Sequence, residues 1–444
     1  MKSETMMRPG DVRNIIGSRM LADGLDMVLD LEKSKGARLY DSDKDRYLLD
    51  FFGFFASNPI GVNHPGLSDP EFLQDLKMAA LTKVTNSDIY TRQMAEFVDT
   101  LSREATPDYM KYFFFVSGGA LAVENGLKAA FDWKVRKNQM NGETKELGMK
   151  IMHLKEAFHG RSGYTLSLTN THDPRKTMYF PKFDWPRVTN PKLRFPITDK
   201  VLQEVEELEK QSLSEMEQNF EKYGNDIAAF IMEPIQGEGG DNHFREEYFR
   251  KVAKLVRDND ALLMVDEVQS GMGVTGKWWA HQHYGVQPDI MAFGKKSQVC
   301  GIMVGSKIDE VKDNVFKVSS RINSTWGGNL VDMVRAKRFI EIMVEESLVK
   351  NAEKMGKVMV DELSSLSTEF PGLVSNPRGK GLMDAFDLKS EKIRDEFFNR
   401  MFSKGVLLLK AGEFTIRLRP PLIISEEEIK EFSGKAREVL KEMS

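Results

Sequence analysis

The sequence predicts an α/β fold in which a large domain has a mostly parallel central sheet and a smaller α+β domain follows it. Continuous apolar runs of strand length occur at 227–232, 262–265 and 290–293. Strands that helices cover on both faces have this composition, which is typical of parallel sheets. Segments with helical spacing of apolar residues alternate with these runs. From about residue 329, long helical segments precede short strands, so we expect a second, smaller unit there.

The individual elements follow in chain order. Strands are predicted at 38–41, 47–50, 111–116, 150–154, 227–232, 262–265, 290–293, 373–374, 382–386, 406–409 and 415–418. Helices are predicted from about residue 120 and at 201–220, 330–346 and 354–366. We therefore expect a large domain at 56–328 and a small domain at 329–444. The N-terminal segment 1–55 is expected to pack with the small domain.

The charge of the 444-residue chain is nearly balanced, with 63 lysines and arginines against 67 aspartates and glutamates. A nucleic-acid binder carries a clear basic excess, so this composition argues against a nucleic-acid partner. The N-terminus lacks the apolar core of a signal peptide. Since no apolar stretch approaches the roughly 18 residues of a membrane-spanning helix, we expect no membrane partner.

Cysteine and histidine usage bears on metals and on the compartment. Cys300 is the single cysteine, which excludes an internal disulfide and a multi-cysteine metal site. The seven histidines form no ligand set, because His281 and His283 have no nearby cysteine or matched carboxylate. We therefore expect a cytoplasmic protein without a bound metal, in which Cys300 has no chemical role.

A glycine pattern at 271–276, GMGVTG, matches the G-x-G-x-x-G of dinucleotide-binding folds. Its context does not fit that function, because four residues separate it from the preceding strand and no clean helical stripe follows. Asp289 lies near the distance of the acidic ribose ligand, but it precedes a strand instead of ending one. The pattern therefore gives little support to a dinucleotide site.

Two charged residues follow neighbouring apolar runs. Asp266 ends the run at 262–265, and Lys295 lies just past the run at 290–293. Both are expected at the carboxyl edge of the sheet, where open α/β folds bind ligands. This pair suits a pyridoxal phosphate site, since the lysine amine forms a Schiff base and the aspartate keeps the pyridine nitrogen protonated. Charges at strand ends also occur in ordinary turns, and spacing alone leaves that alternative open.

A glycine turn ahead of the helix at 120 is a candidate phosphate site. Ser117, Gly118 and Gly119 precede the helix, and such a turn offers free backbone N–H groups and the positive end of a helix dipole. An ordinary N-cap by Ser117 explains the same residues equally well. Phe158 can stack on a flat ring, although a single phenylalanine is more often a core residue.

Several segments together resemble the class III, or ω-, aminotransferases of pyridoxal phosphate (PLP) fold type I. They are SGGALAVENGLKAA, FHGRSGY, EPIQGEGG, DEVQSG, PDIMAFGKK and IRLRPPL, which occur in the family's order from about residue 110 to 422. The combination is highly specific and spans most of the chain. Within the family, GRSGYTLSLTNT, EPIQGEGGDNHF, AFGKKSQVCG and RINSTWGGN are most similar to the members that act on the ε-amino group of L-lysine.

The resemblance implies roles for residues at matching positions. Lys295 would carry the Schiff base and Asp266 would pair with the ring nitrogen, which makes them the predicted catalytic residues. The other predicted cofactor contacts are Gly119 and Ala120 at the phosphate, Phe158 on the ring face, Gln269 near the ring hydroxyl, and Thr325 at the phosphate of the neighbouring subunit. The role of Thr325 implies a homodimer with shared active sites. Lys296, the neighbour of Lys295, receives no catalytic role.

The resemblance also implies how one pocket binds two substrates. Arg417 would pair with the α-carboxylate of 2-oxoglutarate, and Glu238 would neutralise that arginine when L-lysine is bound. Such a substitution is physically sensible, because an unpaired buried guanidinium is costly. Arg161 would hold the carboxylate that lies remote from the reacting centre, and Asn323 is also assigned to substrate binding.

Two assignments stay open. Glu233 either lines the pocket or ends a strand structurally, and general grounds favour neither. Arg419 competes with Arg417 for the carboxylate, and only the family spacing Arg-x-x-Pro-Pro favours Arg417.

The resemblance thus implies a PLP-dependent transaminase that moves the ε-amino group of L-lysine to 2-oxoglutarate, giving 2-aminoadipate 6-semialdehyde and L-glutamate. The alternative is an ω-aminotransferase for ornithine or 4-aminobutyrate. A PLP-fold protein reduced to a binding partner is a further alternative, against which the complete set of lysine, aspartate and arginine speaks.

Overall fold

The computed structural model describes residues 7–444, so the first six residues of the predicted segment 1–55 lie outside the described residues. The helices are α1 (Pro9–Gly17), α2 (Gly53–Ala56), α3 (Pro70–Leu81), α4 (Arg92–Glu104), α5 (Gly119–Met140), α6 (Gly163–Leu168), α7 (Asp199–Tyr223), α8 (Glu246–Asp258), α9 (Leu330–Glu345), α10 (Leu348–Glu369), α11 (Glu391–Ser403) and α12 (Glu426–Met443). Among residues 7–444, none of these helices is long and apolar enough to cross a membrane.

The strands are β1 (Leu29–Lys35), β2 (Arg38–Asp41), β3 (Arg46–Asp50), β4 (Met110–Val116), β5 (Lys150–Leu154), β6 (Arg187–Val188), β7 (Ile227–Met232), β8 (Leu262–Asp266), β9 (Ile290–Phe293), β10 (Cys300–Gly305), β11 (Val374–Lys380), β12 (Met383–Leu388), β13 (Val406–Leu407), β14 (Leu409–Ala411) and β15 (Thr415–Leu418). The three apolar runs singled out in the sequence are β7, β8 and β9, which lie next to one another in one sheet.

The central sheet has seven strands in the order β4-β10-β9-β8-β7-β5-β6. The strands from β6 through β5, β7 and β8 to β9 pair in parallel, while β10 runs antiparallel to both β9 and β4. Every residue of β7 and of β9 is buried, as expected for strands that helices cover on both faces. The predicted α/β class with a mostly parallel central sheet is confirmed.

Helices cover the two faces of this sheet. One buried cluster joins the sheet to α8, through residues such as Phe230, Val252 and Leu263. A second cluster joins the opposite face to α5, through residues such as Leu127 and Ile231. Phe230 and Ile231 are adjacent in β7 and belong to different clusters, because successive side chains of a strand point to opposite faces.

The strand β10 has no counterpart among the predicted elements. Its sequence, CGIMVG, has only three large apolar residues between two glycines, so the pattern lacks a run of strand length. Pairing with β9 on one side and β4 on the other forms the strand in spite of this weak local signal. Tertiary pairing thus decides the structure of this segment.

Two four-stranded sheets lie outside the central one, in the orders β1-β2-β3-β13 and β11-β12-β15-β14. The single strand predicted at 406–409 is wrong, because the segment breaks at Leu408 and β13 and β14 join different sheets. Leu408 is buried like its neighbours, so the apolar pattern does not mark the break. β13 pairs in parallel with β3, so the strands β1 to β3 share a sheet with a strand from the C-terminal part of the chain. The domain bounds 1–55, 56–328 and 329–444 stay a prediction.

The glycine pattern at 271–276 forms a turn after β8. Gly273 and Gly276 both have a φ of 84°, a conformation that favours glycine. A Cβ on Gly276 would lie 2.8 Å from the Cβ of Glu353 in α10. The close approach to this helix gives the glycines a structural explanation that involves no ligand.

Candidate active site

A cavity of about 590 Å³ opens at the carboxyl edge of the central sheet, where Asp266 ends β8 and Lys295 follows β9. It is lined by Ser57, Gly119, Ala120, Phe158, His159, Gly160, Arg161, Glu233, Glu238, Asp266, Val268, Gln269, Lys295, Gln298, Cys300, Asp332 and Arg335. Nine of the residues predicted for the site lie in this lining. The structure therefore brings most of the predicted set together, at the edge where α/β sheets bind ligands.

Lys295 begins a short 3-10 turn directly after Gly294, and its φ of 52° is positive. A positive φ is uncommon for a residue with a long side chain, and such strain often accompanies functional positions. Burial lowers the pKa of the Lys295 amine to about 8, and the positive charges of Arg417 and Arg419 contribute to the same shift. A neutral amine at this position is a competent nucleophile and proton acceptor near neutral pH.

Lys296 has a different environment from its neighbour. It is buried, and its Nζ donates a hydrogen bond of 2.9 Å to the carbonyl oxygen of Ala56 in α2. Burial holds the pKa of this amine far below its ordinary value, and burial raises the pKa of nearby Asp50 to about 6. Lys296 thus supports the backbone of α2 and does not line the cavity, while Lys295 does.

Asp266 is 5% exposed and accepts two hydrogen bonds with different oxygens. Its Oδ1 accepts from the backbone N–H of Val268 at 3.0 Å, and its Oδ2 lies 2.8 Å from Nδ1 of His159. A buried carboxylate held in this way is placed to pair with a protonated ring nitrogen. The sequence analysis did not single out His159, although it lies within the FHGRSGY segment, directly after Phe158.

The N-terminus of α5 faces the cavity. The N-cap residue is Gly118, with a φ of 112° and no side-chain cap, so the N-cap by Ser117 that the sequence left open does not occur. Gly119 and Ala120 line the cavity. A Cβ on Gly119 would lie 2.8 Å from Cγ1 of Val268, so glycine is required for this approach. The free N–H groups of this helix end suit a phosphate group.

Glu233 accepts hydrogen bonds from two backbone segments beside the cavity. Its Oε1 accepts from the N–H of Phe158 and its Oε2 from the N–H of Gly237, each at 3.0 Å. Burial raises the pKa of this carboxyl to about 7. Both interpretations from the sequence therefore have support, because Glu233 lines the cavity and also orients the segment that carries Phe158.

Arg417 and Arg419 are both buried and both donate to Oε1 of Gln269, Arg419 through Nη2 at 2.9 Å, but their other partners differ. Arg419 forms a two-pronged ion pair with Asp241, in which Nη1 lies 2.8 Å from Oδ2. Arg417 donates one hydrogen bond of 3.1 Å to Oε1 of Gln269, and its buried Nε has no partner among residues 7–444. Burial lowers the pKa of Arg417 to about 10. Arg417 is not among the residues that line the cavity. Its Nε without a partner among residues 7–444 nevertheless favours it over Arg419, which is already paired with Asp241, as the residue that can accept a further carboxylate.

Glu238 lines the cavity, where its carboxylate forms an ion pair with Lys176. The expected contact with Arg417 is absent among the described residues, although the negative charge of Glu238 acts on the Arg417 guanidinium and raises its pKa in part. Arg161 is exposed at the cavity wall, with its guanidinium carbon 5.9 Å from the ring centre of Phe158.

Thr325 and Asn323 lie outside this cavity. Both are exposed in the segment between β10 and α9, where Oγ of Ser87 donates to the carbonyl oxygen of Thr325 at 3.1 Å. The structure therefore does not bring them together with Lys295 in the same subunit. Their roles toward the phosphate of a neighbouring subunit and toward the substrate stay predictions.

The described residues fit pyridoxal phosphate as a set. The cavity joins a buried amine of lowered pKa, a buried carboxylate, uncapped helix N–H groups and the ring of Phe158. These groups match the aldehyde, ring nitrogen, phosphate and ring face of that cofactor. Among residues 7–444, no cluster of three or more histidine, cysteine or acidic side chains can hold a metal ion.

The pKa of Lys295 predicts a pH dependence for cofactor attachment. Only the neutral amine attacks an aldehyde, so the attachment rate should rise with pH and level off above the pKa. With a pKa of about 8 for Lys295, we expect a midpoint near that value and not near that of an exposed lysine. The measurement is the growth of visible absorbance when pyridoxal phosphate is added to cofactor-free protein at about pH 6–10. A midpoint near the ordinary lysine value would contradict the burial argument.

Comparison with known proteins shows a likeness over most of the chain. The L-lysine-epsilon aminotransferase of Mycobacterium tuberculosis is 51% identical over 422 residues, which are 95% of this chain and 93% of that protein. The mitochondrial 4-aminobutyrate aminotransferase of Mus musculus is 31% identical over 429 residues, which cover 91% and 83% of the two chains. The solved structure of the lysine aminotransferase from M. tuberculosis in the internal aldimine form has a TM-score of 0.96 and 49% identity, covering 99% of this chain and 100% of that one.

The family assignment rests on both sequence and structure. Residues 20–440 match the family described as aminotransferase class III, and the cavity holds Lys295 and Asp266 at the carboxyl edge of the sheet, as the motifs predict. The chain therefore belongs to the class III aminotransferases, enzymes of fold type I that depend on pyridoxal 5′-phosphate.

Proposed function

We propose that the chain transfers the ε-amino group of L-lysine to 2-oxoglutarate, giving 2-aminoadipate 6-semialdehyde, which would cyclise, and L-glutamate. The observation that carries the proposal is the 51% identity, over 95% of the chain, to a relative named L-lysine-epsilon aminotransferase. The 4-aminobutyrate aminotransferase is more distant, at 31% identity. Ornithine and 4-aminobutyrate are therefore the weaker alternatives as amino donors.

Lys295 is the residue that we assign to the chemical step. Bound pyridoxal phosphate supplies an aldehyde that the amine can attack and a ring that accepts electrons. Lys295 would hold the cofactor through its Nζ. When the substrate amine has taken its place, this Nζ would accept the proton of the reacting substrate carbon and donate it to the aldehyde carbon of the cofactor, a role that its lowered pKa favours near neutral pH.

Asp266 is assigned to the ring nitrogen. Its second oxygen pairs with His159, which fixes the carboxylate and keeps it directed into the cavity. Phe158 is assigned to the ring face, Gly119 and Ala120 to the phosphate, and Gln269 to the ring hydroxyl. Gln269 also accepts from Arg417, so it couples the cofactor side of the cavity to the arginine.

The two substrates differ by one carboxylate near the reacting centre. We assign Arg417 to the α-carboxylate of 2-oxoglutarate, because its buried Nε lacks a partner among residues 7–444 while Arg419 is already paired with Asp241. Glu238 is assigned to compensate the charge of Arg417 when L-lysine is bound. Arg161 is assigned to the carboxylate that both substrates carry at the far end.

The quaternary and cellular context belongs to the proposal as well. We assign Thr325 to the phosphate of a neighbouring subunit and Asn323 to substrate, so that a homodimer shares its active sites. Their exposure outside the cavity of the same chain is compatible with these roles. The single cysteine supports a reducing, cytoplasmic location.

A panel of amino donors tests the proposal. The enzyme with bound cofactor is incubated with 2-oxoglutarate and either L-lysine, L-ornithine or 4-aminobutyrate, and glutamate formation is followed. Rapid glutamate formation with L-lysine supports the proposal. Faster formation with either other donor would transfer the assignment to that substrate.

A further inference from the structure

Lys176 is a half-buried cation beside the cavity that the catalytic scheme leaves unused. It ends the 3-10 turn Pro174–Lys176, which Asp173 caps by accepting from the N–H of Arg175 at 3.1 Å. The Arg175 side chain is 83% exposed and pairs with Asp173, whereas the Lys176 side chain is 22% exposed and turns to Glu238. The turn therefore directs one basic side chain outward and the other toward the cavity wall.

The partner of Lys176 is the glutamate that we assign to Arg417. Nζ of Lys176 donates to Oε1 of Glu238, whose side chain is only 17% exposed. The other oxygen, Oε2, is buried and has no partner among residues 7–444. The backbone of Glu238 is fixed independently, because its carbonyl oxygen accepts from the N–H of Gly412 at 3.0 Å. Movement of this residue is thus a movement of its side chain.

Two cations are therefore available to one carboxylate. A poorly solvated carboxylate is costly without a partner, so Glu238 needs either Lys176 or Arg417. In this structure it pairs with Lys176, and Arg417 keeps only its bond to Gln269. This arrangement leaves Arg417 able to bind a second carboxylate. When Glu238 instead turns to Arg417, Lys176 loses this partner.

We propose that Lys176 is a positioning residue for dual substrate recognition, which holds Glu238 away from Arg417 so that a dicarboxylate can bind. The proposal rests on the function proposed above, because it assumes that Arg417 binds the α-carboxylate of the keto acid. Lys176 itself need not touch either substrate. Its effect is on the balance between the two positions of Glu238, and hence on the affinity for 2-oxoglutarate relative to L-lysine.

The test measures binding of two non-reacting acids to the enzyme with bound cofactor. Glutarate carries the two carboxylates of 2-oxoglutarate, and valerate carries one on a chain of the same length. In Lys176→Met, Glu238 loses its alternative partner and occupies Arg417, so the Kd of glutarate should rise about threefold to tenfold. The Kd of valerate should stay unchanged. Titration calorimetry or the change in cofactor absorbance reports both constants.

Matched variants separate this role from general effects. Lys176→Arg should restore glutarate binding, because it retains the cation. Lys182→Met removes an exposed lysine of the same segment, whose Nζ donates to the carbonyl oxygen of Thr177 at 2.6 Å, and should bind both acids normally. In a Glu238→Gln background, Lys176→Met should have no further effect on glutarate, because its action passes through the charge of Glu238.

Each outcome decides the proposal. Unchanged glutarate binding in Lys176→Met would overturn it. If Lys176→Met weakens glutarate binding equally in the Glu238→Gln background, the lysine acts by long-range attraction, and the proposal is overturned as well. If Arg417→Met leaves the preference of the wild type for glutarate over valerate intact, the proposed role of Arg417 fails and the role of Lys176 fails with it. Weaker glutarate binding in Lys176→Met but no further weakening in the Glu238→Gln background, together with normal binding in Lys176→Arg, supports the proposal.

Discussion

Replacing Lys295 with alanine is expected to lower kcat for transamination by about 10²- to 10⁴-fold, the usual contribution of a positioned acid–base group. The cavity would keep Asp266, Phe158 and the N-terminus of α5, so the cofactor and the substrate should still bind. What disappears is the neutral amine of lowered pKa that attaches the cofactor and moves the proton. Turnover measured with L-lysine and 2-oxoglutarate, together with visible absorbance of the purified protein, reports both losses.

The neighbouring lysine supplies the matched control. Lys296 donates to the carbonyl oxygen of Ala56 and does not line the cavity. Lys296→Met should therefore keep the visible absorbance of the bound cofactor while lowering the free energy of unfolding, by about 1–3 kcal/mol for a lost buried hydrogen bond. Full turnover in Lys295→Ala, or loss of cofactor attachment only in Lys296→Met, would show that the two lysines have been assigned the wrong way round.

Replacing Asp266 with alanine is expected to have the second largest effect. The buried carboxylate would face a cationic ring nitrogen, and breaking a buried pair by removing one partner costs about 3–5 kcal/mol. If that cost falls on the transition state, kcat/KM decreases by about two to four powers of ten. The same change leaves Nδ1 of His159 without its partner. Steady-state kinetics with L-lysine and 2-oxoglutarate measure the decrease.

Asp289 provides the control for Asp266. It lies immediately before β9, at the opposite edge of the sheet, where its Oδ2 accepts from the N–H of Leu263 at 2.8 Å. Asp289→Asn should leave kcat/KM near that of the wild type. A decrease in Asp289→Asn that equals the decrease in Asp266→Ala would mean that the effect comes from disturbing the sheet and not from the cavity.

The features that the sequence predicted well are those that depend on neighbouring residues and on sheet geometry. Asp266 and Lys295 each follow a buried strand, and parallel strands bring their carboxyl ends to one edge. The glycine turn at Gly119 also has a local signal, since it joins a strand to a helix. Local patterns of this kind indicate the edge of the sheet where the cofactor side of the cavity lies, whereas the roles of Phe158 and Gln269 depended on the family resemblance.

The substrate side depends on contacts between distant segments. Arg417 and Arg419 are two residues apart, so the period of a strand places both side chains on the same face. Only the folded chain distinguishes them, because there Arg419 forms an ion pair with Asp241. Likewise, Lys176 and Glu238 are separated by 62 residues in the chain. The break at Leu408 and the strand β10 were missed for the same reason, because pairing with other strands decides them.

The choice of amino donor is the central claim, and the ratio of kcat/KM for L-lysine to that for L-ornithine tests it most directly. The two donors differ by one methylene, which a shaped pocket discriminates by about 1–3 kcal/mol, or about 10- to 200-fold. With 2-oxoglutarate at a fixed concentration and glutamate as the measured product, we expect a ratio in this range in favour of L-lysine. A ratio at or below unity would contradict the assignment of this chain as a lysine ε-transaminase.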